Sequence, residues 1–376
     1  MKLVRRIHSQ RLSPELNYYD FPVVKSAMKI SHRFNSSTTF KALVPLLAVV
    51  FAAVILSCTL APERAGTAVH QAYIKEEAFV TADNAVLPMR VWPANPNPVR
   101  AVLVAVHGFN DYSNAFAELG SYLSHHHHIT TYAYDQRGFG GSEKPGSWAG
   151  TETYVSDLRD FCQQIKARHP NTPLYVLGES MGGALAMVAF AGDTPSLADG
   201  VILSAPAVWS RPTMPWYQRT ALFLAARLIP WASFTGKGIK VTPSDNRDML
   251  IALNRDPLVI KATKVGAMYG LTNLMDEAMA SAVNFQQPAL VMIGDRDEIV
   301  PNHASALMLS KLLESAQVQQ KIVVYQQGYH MLTRDLQGEV VMQDIATWIA
   351  NHSADLPSGA DQQDLSVWVE QNLPQP

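Results

Sequence analysis

Leu174 to Phe190, LYVLGESMGGALAMVAF, restricts what this 376-residue chain can fold into more than any other stretch. An apolar run ends at Gly178-Glu179-Ser180-Met181-Gly182, and a helix of small and apolar residues begins at once. A strand that passes into a helix without a loop must turn sharply. Glycines two before and two after Ser180 leave room for backbone to pass close by. A Gly-rich turn with a merely exposed serine would look the same over five residues. The strand before it and the helix after it mark Ser180 as a candidate nucleophile.

On either side of this stretch, strand and helix patterns alternate. Glu77 to Thr81 and Val86 to Trp92 read as strands around an Ala82-Asp83-Asn84 turn, followed by a Pro-rich break at 93–98. Ala101 to Val106 is a continuous apolar run, as expected of a parallel strand buried on both faces. Asn114 to Ser124 reads as helix, Thr130 to Tyr134 as strand and Thr151 to His169 as an amphipathic helix stopped by Pro170. Gly200 to Ala205 and Ala289 to Ile293 are further strands. Roughly eighty residues separate them, too many for one crossover, so an inserted unit with its own helices is expected there. Ser305 to Leu313 (helix), Lys321 to Gln326 (strand) and Val340 to Asn351 (helix) complete the body, and the tail beyond Ala354 is polar and Pro-bearing, with at least its end expected to be loose. The order predicts an α/β fold with a mostly parallel sheet covered on both faces. No internal repeat is visible.

An apolar content of 48% supports a sizeable core. The net charge of -2 hides a basic segment over residues 1–57 and an acidic remainder, which argues against a nucleic-acid partner. Ala42 to Pro62 is uncharged and strongly apolar, with Lys29, Arg33 and Lys41 before it, as in a signal segment or single membrane anchor. Its end, Val54-Ile55-Leu56-Ser57-Cys58, resembles a bacterial lipobox, whose cysteine is lipidated. Met28 is the expected start, because it brings Cys58 to the usual distance from the N-terminus. An uncleaved transmembrane helix is the alternative. Both imply export of the body, with a lipid-anchored protein in the bacterial cell envelope as the expected outcome. Cys162 would then be a lone thiol on a buried helix face, so no disulfide framework is expected.

An exposed serine becomes a nucleophile when a base takes its proton, and that base needs a carboxylate to orient it. His330, in Gln327-Gly328-Tyr329-His330-Met331 after the last strand, is the expected base. Asp297, in Gly294-Asp295-Arg296-Asp297-Glu298, is the expected acid, with Asp295 and Glu298 as rivals that spacing alone does not separate. His303 precedes a helix and is set aside. The negative charge on a tetrahedral intermediate needs backbone donors, expected from the N–H groups of Met181 and Phe109. His107 is expected to be structural, as is Arg137 in an ion pair. The run His125 to His128 points in several directions and is not expected to close a metal site. No metal or other cofactor is required.

The HGF turn at His107, the DQRGFGGS loop at Asp135, GESMGG, GDRDEIVP and GYHML occur in an order that resembles the α/β-hydrolases. The resemblance covers residues 75–352 and is closest to the monoglyceride lipase and lysophospholipase group, also described as serine aminopeptidase-like hydrolases. It favours Asp297 as the acid, because the group's acid lies three residues after the glycine matched by Gly294. It also implies a helical cap at Pro206 to Gln287, in which Asp256-Pro257-Leu258 resembles a motif without an assigned role. A serine at the elbow counts against haloalkane dehalogenase and epoxide hydrolase relatives. The expected layout is an N-terminal extension and anchor over 1–62, a first core part over 73–205, the cap over 206–287, a second core part over 288–352 and a polar tail over 353–376. The expected activity is cleavage of lipophilic carboxylic esters such as monoacylglycerols or lysophospholipids, through an acyl-enzyme. An acyltransferase or thioesterase with the same residues is the alternative, and a non-catalytic lipid-binding protein is a third class.

Overall fold

The computed structural model describes residues 65–373, apart from 96–97, 193–195, 237, 239 and 316–319. Met28, the apolar segment 42–62 and Cys58 lie outside the described residues.

Eleven strands are described: β1 (Tyr73–Lys75), β2 (Ala78–Val80), β3 (Val86–Trp92), β4 (Ala101–Val106), β5 (Ile129–Tyr134), β6 (Leu174–Glu179), β7 (Gly200–Ser204), β8 (Ser233–Thr235), β9 (Ala262–Lys264), β10 (Ala289–Gly294) and β11 (Gln320–Tyr325). Nine of them form one sheet in the order β1-β2-β3-β5-β4-β6-β7-β10-β11. The first three strands and the β3–β5 pairing are antiparallel. From β5 to β11 the pairing is parallel. A parallel sheet is covered on both faces, which is why β4, β5, β6, β7 and β10 are buried along their whole length. Alternate residues of β4 supply the two cores. Val102, Val104 and Val106 face one, and Ala101, Leu103 and Ala105 face the other.

Nine helices are described: α1 (Ala117–His127), α2 (Thr151–Arg168), α3 (Met181–Phe190), α4 (Trp216–Leu228), α5 (Arg247–Arg255), α6 (Val265–Ser281), α7 (Asn302–Ser315), α8 (Gly338–Ala350) and α9 (Leu365–Asn372). One core takes Leu158 and Phe161 of α2, Leu185 of α3, Leu274 of α6 and Met308 of α7. The other takes Leu119 and Leu123 of α1 with Ile345 and Trp348 of α8. Helix α2 buries Tyr154, Leu158, Phe161, Cys162 and Ile165, the stripe its sequence period predicts. Cys162 is buried on this helix without a disulfide partner among the described residues, and burial pushes its thiol up to about 12.

Between β7 and β10 the chain forms α4, the short antiparallel β8–β9 ribbon, α5 and α6. Helix α6 buries Leu274, Met275, Ala278 and Met279 against the main core and packs on α3. It therefore belongs to the helix layer beneath the cap.

The polar segment after Ala354 carries a packed helix, and its end, 374–376, lies outside the described residues. Leu365, Trp368, Val369 and Leu373 fall on one helical face, and α9 packs that face on α7 and β11. Trp368 Nε1 donates to Asp295 Oδ1 at 2.6 Å, and Lys321 pairs with Asp361 at 2.7 Å. The Asp, Gln and Asn residues among these four apolar side chains lower the average hydropathy without breaking the helical period.

Candidate active site

Strand β4 connects outward to β5 on one side while β6 lies on its other side, so the strand order reverses at β4. In open α/β sheets a crevice forms outside the carboxyl ends at such a point. The loops that meet there follow β4 and β6 and carry Gly108-Phe109 and Ser180.

Ser180 has φ 54° and ψ -114°, a backbone conformation uncommon for a residue with a side chain. Its neighbours hold it there. The Ser180 N–H donates to Ser204 O at 2.9 Å, and its carbonyl accepts from the N–H groups of Ala207 and Ala184 at 2.9 and 3.0 Å. Gly182 crosses so close to β4 that a Cβ would lie 2.0 Å from Val106 O. Only glycine fits. A Cβ on Gly108 would lie 3.3 Å from Ser180 Cβ, which places the turn after β4 directly against the elbow.

His330 and Asp297 come from the loops after β11 and β10, at the same edge of the sheet. Asp297 Oδ2 accepts from His330 Nδ1 at 2.7 Å, and Asp297 Oδ1 accepts from the N–H groups of Ile299 and Val300 at 2.8 and 2.9 Å. With Nδ1 as donor, Nε2 is the ring nitrogen left to accept a proton. Burial lowers the basicity of His330, but the charge and hydrogen bond of Asp297, helped by Glu179, outweigh it and raise its pKa above the ordinary value. Arg334 opposes them. The rivals of Asp297 are occupied elsewhere. Asp295 accepts from Trp368, and Glu298 Oε2 accepts from the Thr242 N–H at 2.6 Å. His303 lies in α7, with Nε2 3.2 Å from Thr213 O.

Met181 is the first residue of α3, where N–H groups have no intrahelical partner and the helix dipole is positive. Among the described residues, neither its N–H nor that of Phe109 meets an acceptor. The Phe109 ring packs on Phe139 and Trp148, with centroids 5.5 and 6.4 Å away, which fixes the turn. His107 is fully buried. Its Nδ1 donates to Gly108 O at 2.8 Å while its Nε2 accepts from the Gln136 N–H at 3.0 Å. Burial lowers its pKa, so it is a neutral brace for the turn. Arg137 is held by Asp83 and Asp157, each at 2.6 Å.

Two arrangements were not read from the sequence. The buried guanidinium of Arg334 bonds both Asp111 and Glu179. Tyr112 Oη donates to Asp256 Oδ2 at 2.6 Å, which gives the Asp256-Pro257-Leu258 segment a partner beside the turn after β4. These pairings span 223, 155 and 144 positions. Local pattern carries no signal at that range.

His125 Nδ1 bonds Ser121 O at 2.8 Å, and the rings of His126 and His127 lie against Tyr122. Among the described residues no three His, Cys, Asp or Glu side chains are grouped as metal ligands. A cleft of about 680 Å³ beside Trp148, Trp231 and Tyr269 is lined by neither Ser180, Asp297 nor His330. The chemistry is located by the elbow and the Asp–His pair, and not by cavity size.

Residues 97–337 match the family of the serine aminopeptidases, S33. A monoacylglycerol lipase of Mycolicibacterium smegmatis is 25% identical, over 74% of this chain and 97% of its own length. A monoglyceride lipase of Rattus norvegicus is 27% identical, over 73% and 90%. The crystal structure of a Paleococcus ferrophilus monoacylglycerol lipase superposes with a TM-score of 0.59 at 24% identity, covering 71% of this chain and 99% of that one. A soluble variant of the Saccharomyces cerevisiae monoglyceride lipase, in complex with a substrate analogue, gives 0.61 at 20% identity, over 77% and 97%. At these identities the structural likeness speaks for the fold.

Proposed function

Since this chain belongs to the serine aminopeptidase S33 family of α/β-hydrolases, we propose that it is a serine esterase that cleaves monoacylglycerols and similar lipophilic esters. The observation that carries the reading is the 2.7 Å Asp297–His330 bond on the sheet edge that also carries the Ser180 elbow. Ser180 Oγ attacks the ester carbonyl carbon as its proton passes to His330 Nε2. Asp297 holds the imidazole in the tautomer that can accept it and stabilises the imidazolium. The carbonyl oxygen becomes an oxyanion between the N–H groups of Phe109 and Met181, where losing one donor costs about a hundred- to a thousandfold in turnover. The C–O bond then breaks, and the glycerol oxygen leaves with the proton from His330. Water, deprotonated by the same nitrogen, attacks the acyl carbon, and Ser180 is released with a free fatty acid.

The apolar surface of the cap supports a lipophilic substrate. Trp216, Tyr217, Leu224, Leu228, Trp231 and Phe234 are exposed on α4 and the segment after it. Hydrolysis of p-nitrophenyl esters from acetate to palmitate and of 1-monoacylglycerols, with Ser180→Ala as control, tests the reading. Activity that peaks at medium or long acyl chains and vanishes in the variant is expected. Preference for an aminoacyl p-nitroanilide, or transfer to an added alcohol in place of hydrolysis, would replace it with peptidase or acyltransferase chemistry.

A second proposal concerns location. The sequence of residues 42–58 supports lipidation at Cys58 and an exported, membrane-tethered body. Among the described residues no helix is long and apolar enough to cross a membrane. Radiolabelled palmitate should enter the wild-type protein and not Cys58→Ala; equal labelling of both would remove the idea.

A further inference from the structure

We propose that Arg334 is a positioning residue: through Asp111 and Glu179 it locks the Phe109 turn and the Ser180 elbow to the His330 loop, and it balances the charge beside the base. This rests on the reading of His330 as the base.

Arg334 lies four residues after His330, in the short turn Leu332–Arg334. Its side chain is 6% exposed. Nη1 donates to Asp111 Oδ2 at 2.8 Å, and Nη2 donates to Glu179 Oε1. Asp111 lies two residues beyond Phe109 and Glu179 immediately precedes Ser180. One planar fork therefore joins the loops that carry the expected oxyanion donor, nucleophile and base. Without it, two carboxylates with side chains 8% and 3% exposed would be left in the interior without a cation, which proteins avoid. A lysine could supply the charge but not two directed bonds in one plane.

The cluster also sets a field. Two carboxylates on one guanidinium leave one negative charge in excess, and Glu179 Oε2 is buried with no hydrogen-bond partner among the described residues. The charged groups that act on His330 are Asp297 from the β10 loop, Glu179 from the end of β6 and Arg334 from its own loop. Asp111 acts on Arg334, while Glu179 and Asp245 both act on Asp335. His107, neutral by burial, faces Asp111, Asp135 and Glu179. Glu179 favours the imidazolium that forms as Ser180 gives up its proton, and Arg334 limits that preference.

These opposed effects separate positioning with charge balance from a merely structural role. The His330 titration is read in the full-length protein from its ring C–H resonances, assigned with His330→Gln, and compared with the acid limb of kcat/KM. Glu179→Gln removes a charge that favours the imidazolium and should move the titration to lower pH. Arg334→Met removes an opposing charge and should move it to higher pH, in each case by about half a unit or more. The double variant should return towards the wild type. Arg334→Lys should titrate near the wild type, yet lose about ten- to a hundredfold in kcat because the three loops are no longer held by one fork. If Arg334→Met does not fold, Glu179→Gln and Arg334→Lys keep the test open. An unchanged titration in Glu179→Gln or in folded Arg334→Met, shifts of these two in the same direction, or wild-type kcat in Arg334→Lys overturns the proposal. Because the resonances are read without substrate, absence of ester hydrolysis by the wild type would defeat the proposed activity and leave this result standing on its own.

Discussion

Ser180, Gly182 and Gly108 show how little latitude single residues have at this site. The residue types were legible because chemistry and sterics demand them locally: a hydroxyl at a strained turn, and glycine where a β-carbon would meet Val106 O. The choice among Asp295, Asp297 and Glu298 was not legible from spacing. Three neighbouring carboxylates differ only in where the loop turns them, and the loop's own N–H bonds to Asp297 decide that. Asp297→Asn keeps an acceptor for those bonds and removes the charge. We expect kcat to fall by about three to four orders of magnitude, since the amide favours the wrong imidazole tautomer. The folded His330 pKa lies above its unfolded value, so its ion pair adds stability at pH below the ordinary histidine value and loses it as pH rises through the folded one. A urea-melt series should therefore show the Asn variant's deficit greatest in mild acid and shrinking above neutrality, while the acid limb of any residual activity moves to lower pH.

At the level of elements, the strands and helices of the central sheet followed from period and burial pattern, because each satisfies its backbone locally and presents one apolar stripe. The inserted segment was harder to read. Its position between β7 and β10 was visible from length, but the assignment of α6 to the core layer depends on what α3 presents to it, and the β8–β9 ribbon is too short to leave a pattern. The coupling between the cap and the turn after β4 is likewise a tertiary matter. Ile260 N–H donates to Asn110 O at 2.9 Å, Asn110 Nδ2 donates to Thr263 Oγ1 at 2.7 Å, and Tyr112 reaches Asp256. Burial first, then the bond to Asp256, pushes the Tyr112 phenol up to about 12, so it stays a donor throughout the working range. Tyr112→Phe removes a charge-assisted bond of about 1.5 kcal/mol. Amide exchange at Ile260 should then accelerate about tenfold, whereas unchanged exchange there would show that the cap does not depend on this bond.

Across the whole molecule, distant segments are tied by a few buried polar links. Arg137, in the loop after β5, holds Asp83 from the turn before β3 and Asp157 from α2. Arg137→Met strands both carboxylates, and a loss of about 3 kcal/mol is expected. In a protein this size that lowers the melting temperature by about 4 °C. The bond to Arg137 holds the Asp83 carboxyl well below its usual range, so this stabilisation is present at neutral pH and lost as pH falls through the folded value. The gap between the two proteins' melting temperatures should narrow in strong acid. At the same scale, α9 braces the acid loop through Trp368 and Asp295. Local chemistry in the chain was enough to specify the parallel sheet, the elbow, the candidate serine, histidine and acid loop, and the place of the insertion, since periodicity, glycine spacing and residue type act over a few neighbours. Which carboxylate meets His330, where Arg334 finds its two partners and what the last helix packs against were decided only on folding. Those contacts join positions far apart in sequence, and their energies come from burial and geometry that no short window contains.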